Sequence, residues 1–418
     1  MYGTDIKRKP FWWLAAAILL AAAVLRLYNL GGPELWMDEQ SGYWTAGNSY
    51  ERIVEMKWER RSSEQPDPPL SALLAGMLLV GVHDDDPSGK ATSSRFRFRL
   101  TAALAGWLAV VAAALIALRL ADRRTALLTA AFLGLFFYGV YYSREGRPYA
   151  LILLFATLAA GAVAELARHP KRWWPAGLLG VSLAGAAYSH YFAGFLYFVA
   201  AGWIAAFLLL PGALEAGERR PFFWRAGAGF LLGCALYAPW MPVFVWVVEQ
   251  HFDAGDLYGY SGTSPAMGLR TGTFWFDLLG RWTVGVGRGV LGLELAIIGA
   301  LVAWRRFRPA AALLLPWLLL PWLVWPWLPG SGQMHFRYLI FTYPAYCMLM
   351  AMGLVAAVGW LQEHNLLSVK RWVAPTVLVL IVFLLLVRSF WYLPEPILNS
   401  AKCIGDPPYP ESCQIFIE

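Results

Sequence analysis

Asp38 and Glu39 stand side by side between a Gly31-Gly32-Pro33 turn and an aromatic run that includes Tyr43 and Trp44. Three chemistries suit such a pair. A carboxylate at a low-dielectric surface holds protons more tightly and is suited to take one from a hydroxyl. Carboxylate oxygens also bind divalent cations. More plainly, two acids complement the positive end of a helix that they begin. The sequence shows no second carboxylate cluster to complete a metal cage, so the base role is favoured over a metal site.

Arginines supply the complementary charge. Tyr142-Ser143-Arg144-Glu145-Gly146-Arg147-Pro148-Tyr149 is either an ordinary solvated link or a loop in which one Arg forks onto a phosphate, with Glu145 orienting an Arg. His335-Phe336-Arg337-Tyr338 follows Gly330-Ser331-Gly332, and Arg337 reads as an anion contact or as a snorkelling interfacial residue. Arg95-x-Arg97-x-Arg99 is a third basic group suited to meeting a phosphate. His190-Tyr191 closes one apolar run and opens the next, where a lone His is structural or functional. The stretch Glu249–Gly287, with Asp253, Asp256, Tyr258 and Tyr260, reads as a lid, an acceptor-binding loop or a plain surface loop.

The elements that must position these residues are apolar helices. The 418-residue chain is 59% hydrophobic with mean hydropathy +0.50, which excludes an ordinary soluble domain and predicts an all-α polytopic membrane protein. Expected spans are Phe11–Leu30, Leu100–Leu120, Ala126–Tyr142, Tyr149–Ala167, Pro175–Ser189, Phe192–Leu210, Ala226–Val248, Arg288–Trp304, Pro309–Leu328, Tyr338–Leu361 and Trp372–Leu393. Pro69–Val82 is apolar but too short to cross. Pro66-Asp67-Pro68-Pro69-Leu70 gives it a rigid start.

Counting that short run as a span would invert everything after it. The basic clusters Arg123-Arg124, Lys171-Arg172, Arg219-Arg220, Arg305-Arg306 and Lys370-Arg371 all fall on the side of Lys7-Arg8-Lys9 only if it does not cross. The expected topology therefore has about 11 spans and a first external loop, 31–99, with juxtamembrane helices. A second external loop covers 249–287. The transmembrane domain covers 1–393, the N-terminus is cytoplasmic, and a short tail, 394–418, is external. In that tail Cys403 and Cys413 suit a disulfide. The net charge of +7 suits anionic lipid faces and a phosphate substrate; because the cations are scattered over short loops, nucleic acid is not indicated. Zinc-type spacings, phosphate-binding glycine loops and repeats are not evident.

In order and spacing, Arg26, Asp38-Glu39, Pro68-Pro69-Leu70, Glu145-Gly146-Arg147-Pro148-Tyr149-Ala150-Leu151, His190-Tyr191 and Arg337-Tyr338 resemble the GT-C membrane glycosyltransferases that use polyprenyl-phosphate sugars. The resemblance is to the family 39-like relatives of protein O-mannosyltransferases and of lipid A aminoarabinose transferases. Asp67 departs from the pattern, where His or Lys is usual, and so does Gly146, where Ala is usual. Many such proteins also carry a soluble external domain.

The resemblance implies a GT-C fold and transfer of a sugar, with inversion, to a lipid, glycan or protein hydroxyl at the external face of the cell membrane. It makes Asp38 the general base and Glu39 its catalytic neighbour, positioning the base or the acceptor. Arg147 and Arg337, with Arg99 and His335 behind them, would hold the donor phosphate. Tyr149, His190, Tyr191, Glu145 and Tyr338 would line the substrate. No cofactor is expected; a divalent metal is possible but not favoured. The competing reading is a non-catalytic polyprenyl-lipid binding protein or a lipid-linked sugar flippase, although the polar motifs lie at one face rather than mid-span.

Overall fold

The computed structural model describes residues 8–59, 68–82, 85–253, 282, 286–324 and 336–364. These form a helical bundle. Helix α1 (Arg8–Leu27) leads to three short helices, α2 (Met37–Ala46), α3 (Tyr50–Glu59) and α4 (Leu70–Leu79). Then come α5 (Thr92–Leu120), α6 (Arg123–Leu135), α7 (Phe137–Tyr142), α8 (Tyr149–Arg168) and α9 (Trp174–Ser189). The chain continues through α10 (Phe195–Leu209), α11 (Arg219–Tyr237), α12 (Met241–Asp253), α13 (Val286–Arg306), α14 (Arg308–Val324) and α15 (Tyr343–Glu363).

Six helical stretches among the described residues are long and apolar enough to cross a membrane: Pro10–Leu27, Thr92–Leu120, Tyr149–Arg168, Tyr191–Leu209, Ala216–Val247 and Arg337–Glu363. The chain is a multi-pass membrane protein. Its outward face agrees, since Trp13, Leu20, Phe198, Leu209 and Leu231 are exposed as they would be to lipid. Of the other expected spans, α14 is shorter and interrupted by Pro316 and Pro321, and Trp372–Leu393 lies outside the described residues. At ten residues α4 is about 15 Å long, half of what a bilayer core requires.

Three expected boundaries shift, each for a physical reason. Arg95, Arg97 and Arg99 lie within the first turns of α5, not in the loop before it; arginine favours helix, and its long stem carries the charge away from the bundle axis. The predicted span Ala126–Tyr142 breaks at Phe136, whose backbone is extended, between α6 and α7. The predicted span Ala226–Val248 is interrupted at Pro239, where a 3-10 turn separates α11 from α12.

Helix α8 sits centrally, against α5 and α9, while α13 packs on α15 and α9 on α11. Small residues allow the close crossings that membrane helices favour. Gly299 and Gly353 face each other so tightly that a Cβ on either would strike a backbone carbonyl, Leu349's or Leu295's. At one end of the bundle Glu165 gathers Arg119 and Arg172, each at 3.3 Å, and Arg225 lies over Trp173. The acids and arginines singled out from sequence are at the other end.

Candidate functional site

The end of α1 and the break in α6–α7 are locked by two buried arginines that exchange places. Arg26, on the last turn of α1, donates to the carbonyls of Gly134 at 2.8 Å and of Leu133 and Gly139 at 3.4 Å, as well as to Ala22 on its own helix. The Leu133 and Gly134 carbonyls are among those left open where α6 stops, and Gly139 lies in α7. Arg144, just after α7, reaches back to the carbonyls of Leu25 at 2.7 Å, Arg26 at 3.2 Å and Asn29 at 3.4 Å. A helix C-terminus carries partial negative charge and orphan carbonyls, and each guanidinium satisfies both demands. Asn29 takes positive φ to turn the chain after α1, a conformation that asparagine tolerates better than most residues.

A third arginine fixes the acidic pair. Arg99 forks onto Glu39, with Nε donating to Oε1 at 2.8 Å and Nη2 to Oε2. Its remaining donors go to the carbonyls of Leu30, Pro33 and Glu34 at 2.9–3.0 Å. Glu39 Oε1 also accepts the Gly146 N–H at 2.7 Å, so Glu39 ties α2, α5 and the loop before α8 together. It is buried, at 1% exposure. The sequence reading puts Arg99 on a phosphate. All five of its N–H donors instead end on protein acceptors, which leaves it no free face for one.

Asp38 is different. Its side chain is 28% exposed, and Oδ2 lies 3.4 Å from Nη2 of Arg147. Arg147 in turn lies 5.9 Å from the centre of the Tyr149 ring, and the Arg337 guanidinium lies 5.6 Å from the same ring. Arg337 also rests against Tyr338 at 5.8 Å. Among the described residues Arg337 makes no ion pair, and its buried Nε has no hydrogen-bond partner. A guanidinium placed in this way at the mouth of a membrane helix is a ready anion contact.

Aromatic rings continue from there. His190 lies 5.8 Å from Tyr149 and 5.1 Å from Tyr338, and Phe192 stacks on Tyr338 at 4.2 Å. His190 Nδ1 accepts the Phe192 N–H at 3.2 Å, so a neutral ring carries its proton on Nε2. Tyr191 turns away to pack with Phe244, and its hydroxyl accepts the Trp240 indole N–H at 3.4 Å. It therefore belongs to the α11–α12 cluster rather than to the rings around Tyr149.

Glu145 is buried at 7% exposure, and its Oε2 has no hydrogen-bond partner. Burial first, then the neighbouring Glu39 carboxylate, push its carboxyl up to about 7; Tyr141, Arg337 and Arg147 pull the other way. Burial, followed by the nearby Arg99, draws the Arg144 guanidinium down to about 10.

Thus Asp38, Glu39, Arg99, Glu145, Arg147, Tyr149, His190, Arg337 and Tyr338 converge, while His335, Asp67 and most of 249–287 lie outside the described residues. Sequence reasoning left Arg144 without a definite role and used Arg26 only as a motif match. The signal was there for Arg26: an arginine inside an apolar span is costly unless it is paired. Among the described residues no group of three or more His, Cys, Asp or Glu side chains is placed to hold a metal ion.

Several known proteins are similar. The family model for dolichyl-phosphate-mannose-protein mannosyltransferase matches residues 91–241. The oligosaccharyltransferase AglB from Archaeoglobus fulgidus, solved with an inhibitory peptide and a dolichol-phosphate, superposes with TM-score 0.59 at 14% identity over 98% of this chain. The chain spans 61% of that protein's length. ArnT from Cupriavidus metallidurans, solved with undecaprenyl phosphate, superposes with TM-score 0.58 at 14% identity, covering 97% of this chain and 68% of ArnT. Comparison with curated proteins finds no match.

Proposed function

The chain has the GT-C fold, and on that premise we propose that it is a membrane glycosyltransferase that moves a sugar from a polyprenyl-phosphate carrier to an acceptor hydroxyl at the external face. The observation that carries this reading is the placement of Asp38, Arg147 and Arg337 around Tyr149. It sets a partly exposed carboxylate beside one cation and puts a second cation, which makes no ion pair among the described residues, against the ring that the first one faces.

Asp38 takes the proton of the acceptor hydroxyl as its oxygen attacks the anomeric carbon. The bond from that carbon to the phosphate oxygen breaks, and the electron pair leaves with the phosphate. Attack and departure on opposite sides invert the anomeric centre. Charge grows on the leaving phosphate, where Arg147 and Arg337 stabilise it most in the transition state. Arg147 has enough donors to hold Asp38 and a phosphate oxygen together. Phe192 and Tyr338, half-buried and stacked on each other, offer flat apolar surface beside this point, suited to the sugar ring, with Tyr149 and His190 buried behind them. Glu39 and Arg99 act through Asp38, as positioning residues that tie α2 to α5.

The test is transfer or hydrolysis of a short-chain polyprenyl-phosphate sugar by purified protein, with the product anomer read by NMR. Inverted product from the wild type, and turnover lowered about 10²–10⁴-fold in Asp38→Asn at unchanged donor binding, supports the reading. Tight donor binding with no turnover in the wild type points to a binding protein instead.

A further inference from the structure

The Arg95-x-Arg97-x-Arg99 motif is only partly accounted for by the site, because residues two apart on a helix face nearly opposite ways. Arg99 faces Glu39. Arg97 faces a cavity of about 660 Å³ on the other side of α5, enclosed by the last turn of α1, by α4 and by the first turns of α5. Leu27, Leu78, Phe96 and Leu100 give it apolar walls, and Arg97, Asn29, Thr92 and Ser93 its polar part. Around it Tyr28, Met77 and Val80 are exposed at 60–72%, which in a membrane-spanning chain places the opening against lipid. Arg97 is exposed and, among the described residues, makes no ion pair. The Asp86 carboxylate already meets the start of α5, accepting the Lys90 and Ala91 N–H groups at 3.0 and 2.8 Å, so Arg97 is the cation that the groove offers.

We propose that this groove binds one anionic phospholipid from the leaflet at the site end, its phosphate on Arg97 and its acyl chain along Leu27, Leu78, Phe96 and Leu100. The Arg97 cation matches the phosphate, and the apolar walls match a chain that a free anion lacks. A soluble partner has no access to a groove opening at lipid level. The lipid spans the end of α1 and the start of α5, the two elements that Arg99 and Arg144 brace from the inner side. Its occupancy therefore stiffens the frame that holds Glu39. This inference does not depend on the enzymatic reading.

The experiment uses the full chain, delipidated in neutral detergent and supplied separately with phosphatidylglycerol, phosphatidylcholine or soluble glycerol phosphate. Native mass spectrometry counts retained lipid, and thermal unfolding reads the stabilisation. Phosphatidylglycerol should be retained at one copy and raise Tm more than either of the others. Arg97→Gln should weaken retention about fivefold, the worth of one basic residue on an anionic lipid surface. Leu78→Trp, which fills the groove without touching charge, should also reduce retention, while Arg97→Lys should keep most of it. Equal retention of phosphatidylcholine, equal protection by glycerol phosphate, or undiminished phosphatidylglycerol binding in both Arg97→Gln and Leu78→Trp would each overturn the proposal.

Discussion

Arg26, Arg99 and Arg144 carry the same guanidinium as Arg147 and Arg337, yet the two sets have opposite relations to their surroundings. The first set ends on carbonyls and on Glu39, deep in the protein, and joins helix ends that would otherwise part. The second set rests on the Tyr149 ring, with Asp38 beside one member and, among the described residues, no ion pair on the other. Residue type does not distinguish them; what their Nη groups meet does. A guanidinium whose Nη groups end on backbone carbonyls or a buried carboxylate is architecture, whereas one left facing a ring and a partly exposed carboxylate can still receive an anion. The same contrast divides the adjacent acids: Glu39 belongs with the braces and Asp38 with the open group.

The sharpest way to break this division is at the acids. Asp38→Asn should lower turnover by about 10²–10⁴-fold, the usual worth of a positioned base, with Tm and donor binding unchanged. Glu39→Gln should instead lower Tm, because it weakens a buried fork onto Arg99, and its residual activity should keep the wild-type pH profile. If Glu39→Gln were fully stable and lost its pH dependence, the two roles would have to be exchanged.

Next in size come the arginines. Arg337→Ala and Arg147→Ala should each cost about 10²–10³-fold in turnover, as removal of one stabilising donor does elsewhere, with little change in Tm. Arg26→Ala or Arg99→Ala should cost about 3–5 kcal/mol of stability, the range for breaking a buried charged group's contacts, and activity should fall only as folded protein is lost. Thermal unfolding and single-turnover transfer on the same preparations separate the two classes. A brace variant with normal Tm and no transfer would erase the distinction.

Much of this was legible before any coordinates. The apolar runs gave the helices, and the scarcity of ionisable residues in them drew attention to Asp38, Glu39, Arg147 and Arg337. The break at Phe136 was not legible, because the run Ala126–Tyr142 is uniformly apolar and its cause, Arg26, lies more than a hundred residues away. Nor was the commitment of Arg99, since its acceptors are backbone carbonyls of a turn that no side-chain pattern reveals. Tyr191 shares a dipeptide with His190, yet the 3-10 turn that begins there sends the two rings to different clusters. Local geometry of that kind leaves almost no trace in residue order.

Glu145 offers the smallest and most particular test, because it belongs to neither set: a buried acid with one unpartnered oxygen, close to both. Its carboxyl is raised from an ordinary 4.5 to about 7 in the folded protein. The folded state therefore binds the proton more tightly than the unfolded chain does. Stability from this group is fully present below about pH 4.5, falls as pH rises towards 7, and is flat above that. The raised affinity corresponds to a penalty on the order of 3 kcal/mol at pH 8. Glu145→Gln mimics the protonated form, so it should match wild type at pH 5 and exceed it in Tm at pH 8. Thermal unfolding across that range checks the sign. A variant less stable than wild type at pH 8 would mean that the ionised carboxylate is held by Arg147 and Arg337 after all, and Glu145 would then join the braces.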